Sequence, residues 1–386
     1  MNTKIAISAL SSISALGHDP EIIWKNYNSD AHFLSEDNYG NYQAMAGALS
    51  AQELDKIQAL RNEDPKYKPL DNSVLYAMAV AREALKASGW NKGDLFGVNI
   101  GSSRGATSLF EKYYDDFLKQ GISSTLASPT TTLGNISSWI AHDLQTKGPE
   151  ISHSITCSTA LHAVVNGVAW IKSGMCDKFM VGGSEAALTP FTIAQIKALK
   201  IYAETSEDYP CKALDLDKKR NTMVLGEGAA VLCLEEHPTV TPLAYIKGIG
   251  YATEILKHNI SISEEADCFQ DSMKMALKGF DKADIDVIVM HAPGTVKGDL
   301  TELKAIGKVF ESQVPALTTN KWKIGHTFGA SGVLSLELAI LMLKHQQFIK
   351  VPYIKHDKLP KRIQNVMINA VGFGGNAVSI IVGINT

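Results

Sequence analysis

The chain has 386 residues, of which 45% are hydrophobic and 20% charged, a composition typical of a globular protein with room for a large core. Its formal net charge of −3 argues against general nucleic-acid binding, while leaving room for a local basic patch that meets an acidic partner. The five cysteines are widely spaced and contain no Cys-x-x-Cys pair, so they predict neither a metal site nor a disulfide framework. We expect a reducing, cytoplasmic setting and no stretch that approaches the length of a membrane span.

Short apolar strands alternate with helices along the chain. A first strand near residues 5–10 precedes a mixed polar region that extends to residue 70, and helical spacing of apolar residues then predicts a helix over 72–89. Further strands are predicted at 96–101, 178–183, 229–234, 244–251, 287–290, 366–369 and 378–382, with helices near 136–144, 273–277 and 300–310. This alternation indicates an α/β architecture.

Residues 149–163 predict a strand, a sharp turn that carries Cys157, and a helix that continues to Ile171. The helix is apolar on almost every side, so we expect it to be buried all round. A cysteine at its first turn faces unpaired backbone N–H groups and the positive end of the helix dipole, and both lower a thiol pKa. Cys157 is therefore either a nucleophile or, as free cysteines often are, a small buried hydrophobe.

A second unit of the same kind follows near residue 330, where a Gly-rich turn leads into a helix that is apolar nearly all round. Two such helices need apolar cover on both sides. A central helix layer between two sheets, with further helices outside each sheet, supplies that cover, and the repeated strand–turn–helix pattern supports it.

Two histidines share this setting. His291 and His326 each follow an apolar segment and stand beside glycines. Either alone would more often be structural, but together with a helix-capping cysteine they favour a reactive site in which neutral imidazoles donate hydrogen bonds to a developing oxyanion. Phe373, between glycines, either lends a backbone N–H to an oxyanion hole or anchors a tight turn.

Together these residues resemble the β-ketoacyl-[acyl carrier protein] synthases of the thiolase superfamily, over essentially the whole chain. The motifs that carry the resemblance are Cys157; His291 in His-x-x-Gly-Thr-x-x-Gly-Asp; Lys321 five residues before His326 in Gly-His-x-x-Gly-Ala-x-Gly; and Gly372-Phe373-Gly374-Gly375. Shorter matches are Ser128-Pro129, Gly148-Pro149, Asp217-Lys218-Lys219-Arg220 and Leu225-Gly226-Glu227-Gly228. The resemblance implies a five-layered αβαβα thiolase-like fold with two pseudo-repeated halves, 1–238 carrying the cysteine and 239–386 carrying both histidines and the Gly-Phe-Gly-Gly loop.

The resemblance also implies a decarboxylative Claisen condensation that gives a 3-oxoacyl-[acyl carrier protein]. Cys157 would take an acyl group from the phosphopantetheine arm of acyl carrier protein, and His291 and His326 would assist loss of carbon dioxide from malonyl-[acyl carrier protein]. Backbone N–H groups of Cys157 and Phe373 would hold the tetrahedral oxyanion, Phe373 would gate entry, and Lys321 would order the histidine region. Supporting roles fall to Thr295, Asp299, Glu302 and Gly374, and no bound cofactor or metal is implied.

The implied partners are acyl carrier protein and a second subunit, in a homodimer or in a heterodimer with a ketosynthase paralogue. Lys68 falls where the family places a basic residue that contacts the carrier, and Lys66 and Arg61 lie nearby. The same three charges are equally consistent with a solvated loop.

Three positions depart from the family. Ala160 stands where glycine is usual, Met223 replaces a common phenylalanine, and Ser335 stands where a glutamate often pairs with the lysine that corresponds to Lys321. These departures favour a specialised pathway such as that of a polyene pigment or a polyketide lipid. Glu337 lies about 200° around the helix from Ser335, so we expect Lys321 to find Glu302 or Asp299 as its acidic partner instead.

Two other functions stay open. A thiolase or initiating synthase would use coenzyme A, but the Gly-His-x-x-Gly-Ala context of His326 argues against it. A non-catalytic chain-length partner subunit typically lacks the cysteine, so Cys157 argues against that interpretation.

Overall fold

Strands and helices alternate from Ile5 to Gly383 in the computed structural model, which describes residues 4–204, 207–255, 262–356 and 359–384. The strands are β1 (Ile5–Ile13), β2 (Ser35–Tyr39), β3 (Tyr42–Gly47), β4 (Gly97–Gly101), β5 (Glu150–Ile151), β6 (Lys178–Glu185), β7 (Leu225–Gly226), β8 (Gly228–Glu235), β9 (Ala244–Thr253), β10 (Val287–Val289), β11 (Ala316–Thr318), β12 (Asn365–Gly372) and β13 (Asn376–Gly383). The helices are α1 (Pro20–Tyr27), α2 (Ala51–Glu63), α3 (Asn72–Ser88), α4 (Thr107–Gln120), α5 (Ala127–Thr131), α6 (Asn135–Leu144), α7 (Thr159–Lys172), α8 (Pro190–Ala198), α9 (Asp267–Ala276), α10 (Val296–Phe310), α11 (Lys321–Ile324) and α12 (Ser331–His345). The α/β class predicted from the sequence is confirmed.

Helix α3 shows how local sequence fixes an element. It starts at an Asp71 side chain that accepts from the backbone N–H of Ser73, and it ends at Gly89, whose φ of +74° is the left-handed conformation that glycine adopts most readily. The predicted helix over 72–89 is therefore confirmed. The helix predicted over 300–310 begins four residues earlier, at Val296, because the Thr295 side chain caps it.

The ten-stranded sheet has an internal repeat. Its order is β11-β10-β12-β13-β9-β1-β8-β6-β4-β5, so it divides between β9 and β1 into two groups of five. In each group the first three strands pair antiparallel and the outer ones parallel: β1-β8-β6-β4-β5 and β9-β13-β12-β10-β11. Within the described part of the chain, the two groups join where Ile5, Ala6 and Ile7 of β1 pair with β9. The connection between β8 and β9 contains the boundary that we place between residues 238 and 239.

Helices α7 and α12 form the middle layer. They contact each other, and each contacts strands of both five-stranded groups. On the outer faces α3 and α6 cover the first group, while α9 packs on β9 and β13 with α10 beside it. This arrangement is the five-layered αβαβα architecture, and it places the start of α7 and the turn before α12 next to each other.

Burial of the two central helices differs from the expectation in one respect. Every residue of α12 from Ser331 to Leu343 is buried, as predicted. Helix α7 is buried at its beginning, but Ala169 and Lys172 near its end are exposed, so all-round burial was wrong for that turn.

The segment Phe328–His345 is long and apolar enough, by composition, to cross a membrane. The expectation that no stretch approaches that length was therefore wrong. Because 89% of the segment is buried inside the protein, its apolarity is that of a core helix.

Packing around α12 generates a stability prediction. Leu336 is fully buried on this helix, so Leu336→Ala should lower the free energy of unfolding by about 3 kcal/mol through lost burial and a residual cavity. Leu95, which is 68% exposed, is the control, and Leu95→Ala should change stability by less than about 0.5 kcal/mol. Urea titration followed by circular dichroism compares the two, and equal effects would contradict central burial of α12.

Candidate active site

Cys157 stands on a strained elbow directly before α7. Thr156 has a φ of +46°, a left-handed conformation that is uncommon for a β-branched residue. The elbow is held by the Thr159 hydroxyl, which accepts from the Ile155 backbone N–H at 2.8 Å and donates to the Thr156 carbonyl at 2.6 Å. The predicted strand–turn–helix is thus present, although its strand is only Glu150–Ile151.

The Gly-Phe-Gly-Gly loop closes on this elbow. A Cβ atom on Gly372 would lie 1.6 Å from Thr156 Oγ1, so only glycine fits there. The Thr156 hydroxyl donates to the Phe373 carbonyl at 3.3 Å, which places the Phe373 peptide beside Cys157. Gly374, with a φ of +98°, completes the turn between β12 and β13.

Cys157, His291, His326 and Phe373 line one cavity of about 290 Å³. Thr295 lines it as well, and its side chain also caps α10 by accepting from the Gly298 N–H at 3.1 Å. The remaining walls are mostly apolar: Ile196, Leu199, Ile201, Met223, Phe269, Phe328 and Val371. At the cavity wall the Phe373 side chain is 42% exposed. The cavity therefore joins a thiol and two imidazoles to an apolar chamber suited to an acyl chain.

The two imidazole rings lie 5.2 Å apart between centroids and nearly perpendicular, at 88°. The loop of His291 is fixed by Glu302, whose carboxylate accepts from the His291 N–H at 2.9 Å and from the Ala292 N–H at 2.8 Å. The His326 N–H donates to the Val224 carbonyl at 2.7 Å, while its side-chain Nδ1 has no hydrogen-bond partner within the part of the chain that the structure describes.

Both histidines are held in the neutral form. Burial lowers the pKa of His326 to about 3, and the Lys321 charge acts in the same direction. Burial, the neighbouring His326 and Lys321 likewise lower the pKa of His291 well below its usual value. A neutral imidazole carries one N–H that it can donate to a carbonyl or enolate oxygen.

Lys321 is fully buried and is not paired as expected. Its ammonium donates to Asn320 Oδ1 and to Ser335 Oγ, each at 3.2 Å, and no carboxylate lies within 4.0 Å of it among the described residues. Burial lowers the pKa of Lys321 to about 8, and Glu302 is the strongest of the negative groups that oppose this shift. The direct ion pair expected with Glu302 or Asp299 is therefore absent among the described residues, while a water-bridged contact to either carboxylate, which the expectation included, stays a prediction.

Both carboxylates have other partners. Asp299 forms a buried ion pair with Lys218 at 2.7 Å and accepts from the Leu214 and Gly294 N–H groups. Glu302 is committed to the backbone at His291 and Ala292. Because a buried carboxylate keeps the bonds that replace its hydration, neither group is available to turn toward Lys321.

The pKa of the Cys157 thiol is also contrary to expectation. Burial raises it to about 12, the Glu185 carboxylate adds to the rise, and Lys321 and Arg104 oppose it. The helix start was expected to favour the thiolate, but removal of a small anion from water has the larger effect here.

Glu185 is the functional neighbour that the sequence reasoning missed. It is completely buried at the end of β6, and its carboxylate accepts from the backbone N–H groups of Ser103 and Gly329. It therefore ties the turn that precedes α12 to the loop after β4. A charged residue that ends the apolar strand Lys178–Gly183 was the available signal.

The three basic residues proposed for docking lie on and after α2. Lys68 is exposed, Lys66 forms an ion pair with Asp64 at 3.2 Å, and Arg61 is half-buried. The Arg61 guanidinium donates to the Lys68 and Leu70 carbonyls, so this side chain shapes the loop.

A buried thiol with a raised pKa should show an unusual alkylation profile. Between pH 7 and 10 the rate of Cys157 carboxamidomethylation should keep rising by about tenfold per pH unit, because the thiolate fraction grows that way below the pKa. Peptide mass spectrometry after timed iodoacetamide treatment measures the rate, with glutathione as the exposed-thiol control. A plateau near pH 8 would contradict the raised pKa.

The comparisons with known proteins cover both halves of the chain. Residues 2–239 match the family profile described as "Beta-ketoacyl synthase, N-terminal domain", and residues 243–354 match "Beta-ketoacyl synthase, C-terminal domain". The 3-oxoacyl-[acyl-carrier-protein] synthase 2 of Coxiella burnetii is 27% identical over 406 residues, covering 98% of each chain. The enzyme of the same name from Staphylococcus aureus strain COL is 25% identical over 414 residues, again covering 98% of each.

Solved structures share the fold. The ishigamide ketosynthase/chain length factor superposes with a TM-score of 0.88 at 20% identity, over 100% of both chains. A ketosynthase in complex with its chain length factor from Xenorhabdus doucetiae gives a TM-score of 0.80 at 22% identity, over 99% of this chain and 98% of that one. With both of its halves matched in order, the chain belongs to the β-ketoacyl synthase family of condensing enzymes.

Proposed function

We propose that the protein catalyses the decarboxylative condensation of an acyl thioester with malonyl-[acyl carrier protein]. The observation that carries the proposal is the convergence of Cys157, His291 and His326 on one apolar cavity. The first half of the chain supplies the thiol and the second half supplies both imidazoles, so the site exists only when the halves are packed together.

In the first step Cys157 Sγ attacks the carbonyl of an acyl thioester. The thiol proton leaves as the bond forms, and the phosphopantetheine thiol departs as a thiol after taking up a proton. The thiol proton can pass to either of the two imidazoles in the cavity, so loading does not depend on one particular histidine. Backbone N–H groups of Cys157 and Phe373 stabilise the oxyanion.

In the second step the malonyl group loses its carboxylate as carbon dioxide, and the electron pair moves into an enolate. The N–H groups of neutral His291 and His326 stabilise the enolate oxygen, for which a donor is needed rather than a strong base. The carbanion then attacks the Cys157 thioester, and the tetrahedral intermediate collapses to the 3-oxoacyl-[acyl carrier protein] and the Cys157 thiolate. That thiolate takes up one proton from solvent, which is the proton that the overall reaction consumes.

For partners, we infer acyl carrier protein and a second ketosynthase-type subunit. The solved relatives described as ketosynthases with a chain length factor support the second subunit. So does α4, which buries no residue and exposes Phe110, Tyr114, Phe117 and Leu118. An apolar face of this kind is typical of a surface that another chain covers.

We also propose, from the departures at Ala160, Met223 and Ser335, that this chemistry belongs to a specialised pathway such as that of a polyene pigment or a polyketide lipid. We also propose that the protein is cytoplasmic, because its five cysteines are all free thiols and such thiols are typical of a reducing compartment.

Separate assays of loading and decarboxylation test the proposed function. Cys157→Ala should abolish acyl loading and condensation, while Cys176→Ala, a change at an equally buried thiol outside the cavity, should leave both intact. His291→Ala and His326→Ala should still load an acyl group but release carbon dioxide on the order of 100-fold more slowly, because a donor to the enolate is lost. Intact-protein mass spectrometry and carbon dioxide release measure the two steps.

Three results would contradict this assignment. An acyl adduct on the Cys157→Ala variant would rule out Cys157 as the nucleophile. Near-normal carbon dioxide release by both histidine variants would rule out the two histidines as donors to the enolate. Wild-type protein that never loads an acyl group would favour the non-catalytic partner subunit, and loading from coenzyme A thioesters alone would favour an initiating synthase.

Carrier docking generates a separate prediction. Lys68→Glu should weaken carrier binding by roughly threefold or more at 50 mM salt and much less at 500 mM, because salt screens an exposed charge contact. Lys172→Glu is the control, since Lys172 is exposed at the far end of α7, about 20 Å from Cys157. If the affinity of Lys68→Glu for the carrier is unchanged at both salt concentrations, the docking role is wrong and these basic residues belong to a solvated loop.

A further inference from the structure

One buried lysine takes no part in the chemistry described above. Lys323 on α11 is 0% exposed, although a charge removed from water is costly unless other groups replace its hydration. Its ammonium forms no ion pair with a carboxylate in the part of the chain that the structure describes. An apolar side chain would avoid the cost of a buried charge, so the ammonium needs an explanation.

Backbone carbonyls take the place of a carboxylate. The Lys323 ammonium donates to the Asn26 carbonyl at 2.8 Å. It also donates to the Ser29 carbonyl at 2.5 Å and to the Ala31 carbonyl at 2.8 Å. These carbonyls belong to the end of α1 and the loop after it, where a helix leaves acceptors unused. Since an ammonium has three N–H donors and no acceptor, each donor has one carbonyl.

Two aromatic rings complete the surroundings of the ammonium. Lys323 Nζ lies 4.3 Å from the centroid of the Trp322 ring and 5.6 Å from that of Phe33, distances at which a ring face attracts a cation. Carbonyl oxygens and ring faces bind potassium or ammonium ions without neutralising their charge. Burial lowers the pKa of Lys323 to about 8, and Asp30 opposes that shift, so the ammonium is the main form near pH 7. The end of α1 is thus a site for a monovalent cation, and the chain's own ammonium occupies it.

The backbone of α11 is held from more than one direction. The Phe33 N–H donates to the Lys323 carbonyl at 2.9 Å, so the loop after α1 binds both the side chain and the backbone of this lysine. The next carbonyl, that of Ile324, lies so close to two strands that a Cβ on Gly47 or on Gly226 would be 2.0 or 2.1 Å from it. The turn is therefore wedged between the end of α1 and the small sheet, with little room to shift.

Two groups of the active site depend on where this turn lies. Lys321 begins the turn, and the chain leaves it through Gly325 to reach His326. Because an α-helix advances about 100° per residue, Lys321 and Lys323 lie about 200° apart and point to opposite sides. The anchor on one side thereby sets the direction of the lysine on the other side and the start of the segment that carries His326.

We propose that Lys323 is a positioning residue, an internal cation that locks α11 to the end of α1 and thereby holds Lys321 and His326 in place for decarboxylation. This inference rests on the proposed function, because decarboxylation is the step assigned to the histidines. Cys157 stands on a different element, so loading of the acyl group does not depend on Lys323. A separate cation that fits the same carbonyl site should replace the missing side chain.

Lys323→Met tests whether the charge is needed, because methionine fills the space of the stem and leaves the buried carbonyls without their donor. The variant should load an acyl group on Cys157 at close to the wild-type rate but release carbon dioxide roughly tenfold more slowly. Intact-protein mass spectrometry and carbon dioxide release near pH 7 measure the two steps. Lys247→Met is the matched control and should leave both steps unchanged, because Lys247 is a half-buried lysine on β9 whose ammonium donates to Asn365 Oδ1.

Lys323→Ala with an added amine tests the cation site directly. n-Propylammonium supplies the equivalents of the Cγ, Cδ, Cε and Nζ atoms that alanine lacks. At about 50 mM it should raise carbon dioxide release by Lys323→Ala at least about threefold, because a ligand that binds only the ordered site stabilises that site. Tetramethylammonium at the same concentration has the charge but no N–H to donate, so it should give no rescue.

Wild-type carbon dioxide release by folded Lys323→Met would overturn the proposal, since the charge would then be dispensable. So would equal losses of loading and decarboxylation, which would show a general structural role. Absence of rescue by n-propylammonium, or equal rescue by tetramethylammonium, would overturn the cation site. If neither variant folds, Lys323→Ala is refolded with and without n-propylammonium: recovery only with the amine supports the proposal, and no difference overturns it.

A stability measurement needs no activity and so separates this proposal from the proposed function. n-Propylammonium should raise the urea midpoint of Lys323→Ala but not that of wild type or of Lys247→Ala, since only the first variant lacks the cation of the carbonyl site. Equal shifts in all of these proteins would overturn the proposal. Failure of the proposed function appears elsewhere, as wild-type protein that neither loads an acyl group nor releases carbon dioxide.

Discussion

The architecture depends on the burial of two helices that have almost no polar face where they meet. Neither α7 nor α12 could be covered by a single sheet, because each would leave its far side in water. Packing them against each other between two five-stranded groups removes both faces from solvent at once. Reactive groups that stand where these helices begin are thereby brought into one cavity from distant parts of the chain.

The same burial decides the electrostatics of the site. Charges are costly there, so the thiol stays protonated, the imidazoles stay neutral, and the buried carboxylates of Glu185 and Glu302 are bonded to backbone N–H groups. Those two glutamates hold the loops that carry or adjoin the histidines. The site thus separates the groups that meet substrate, which are uncharged, from the groups that fix the backbone.

Much of this was predictable because it depends on short-range pattern. Apolar periodicity located α3 and α12, and the spacing of Cys157, His291 and His326 among glycines located the site. The polar region before residue 70 was not resolved into α1, α2 and the β2–β3 hairpin, since those elements bury few residues and their apolar pattern is faint. Their caps, Asp19 and Ser50, carried more information than their periodicity.

The errors about Lys321 and about the thiol pKa concern surroundings that only the assembled fold determines. The polar partners of Lys321 are Asn320, its neighbour in the chain, and Ser335 on α12, and no sequence pattern indicates that an amide and a hydroxyl stand where a carboxylate was expected. The prediction of a lowered pKa for the Cys157 thiol was wrong for a related reason. A helix start is visible in the sequence, but the degree to which other segments exclude water from it is a property of the assembled fold.

Ala160 shows how such dependence constrains the history of the chain. A Cβ on Gly183 of β6 would lie 2.9 Å from the Ala160 Cβ and 2.7 Å from the Gly329 carbonyl, so the methyl at 160 fits because position 183 has no side chain. The glycine at 183 is in that sense permissive for the alanine at 160, but the dependence runs one way: even with glycine at 160, the Gly329 carbonyl would lie too close for a side chain at 183.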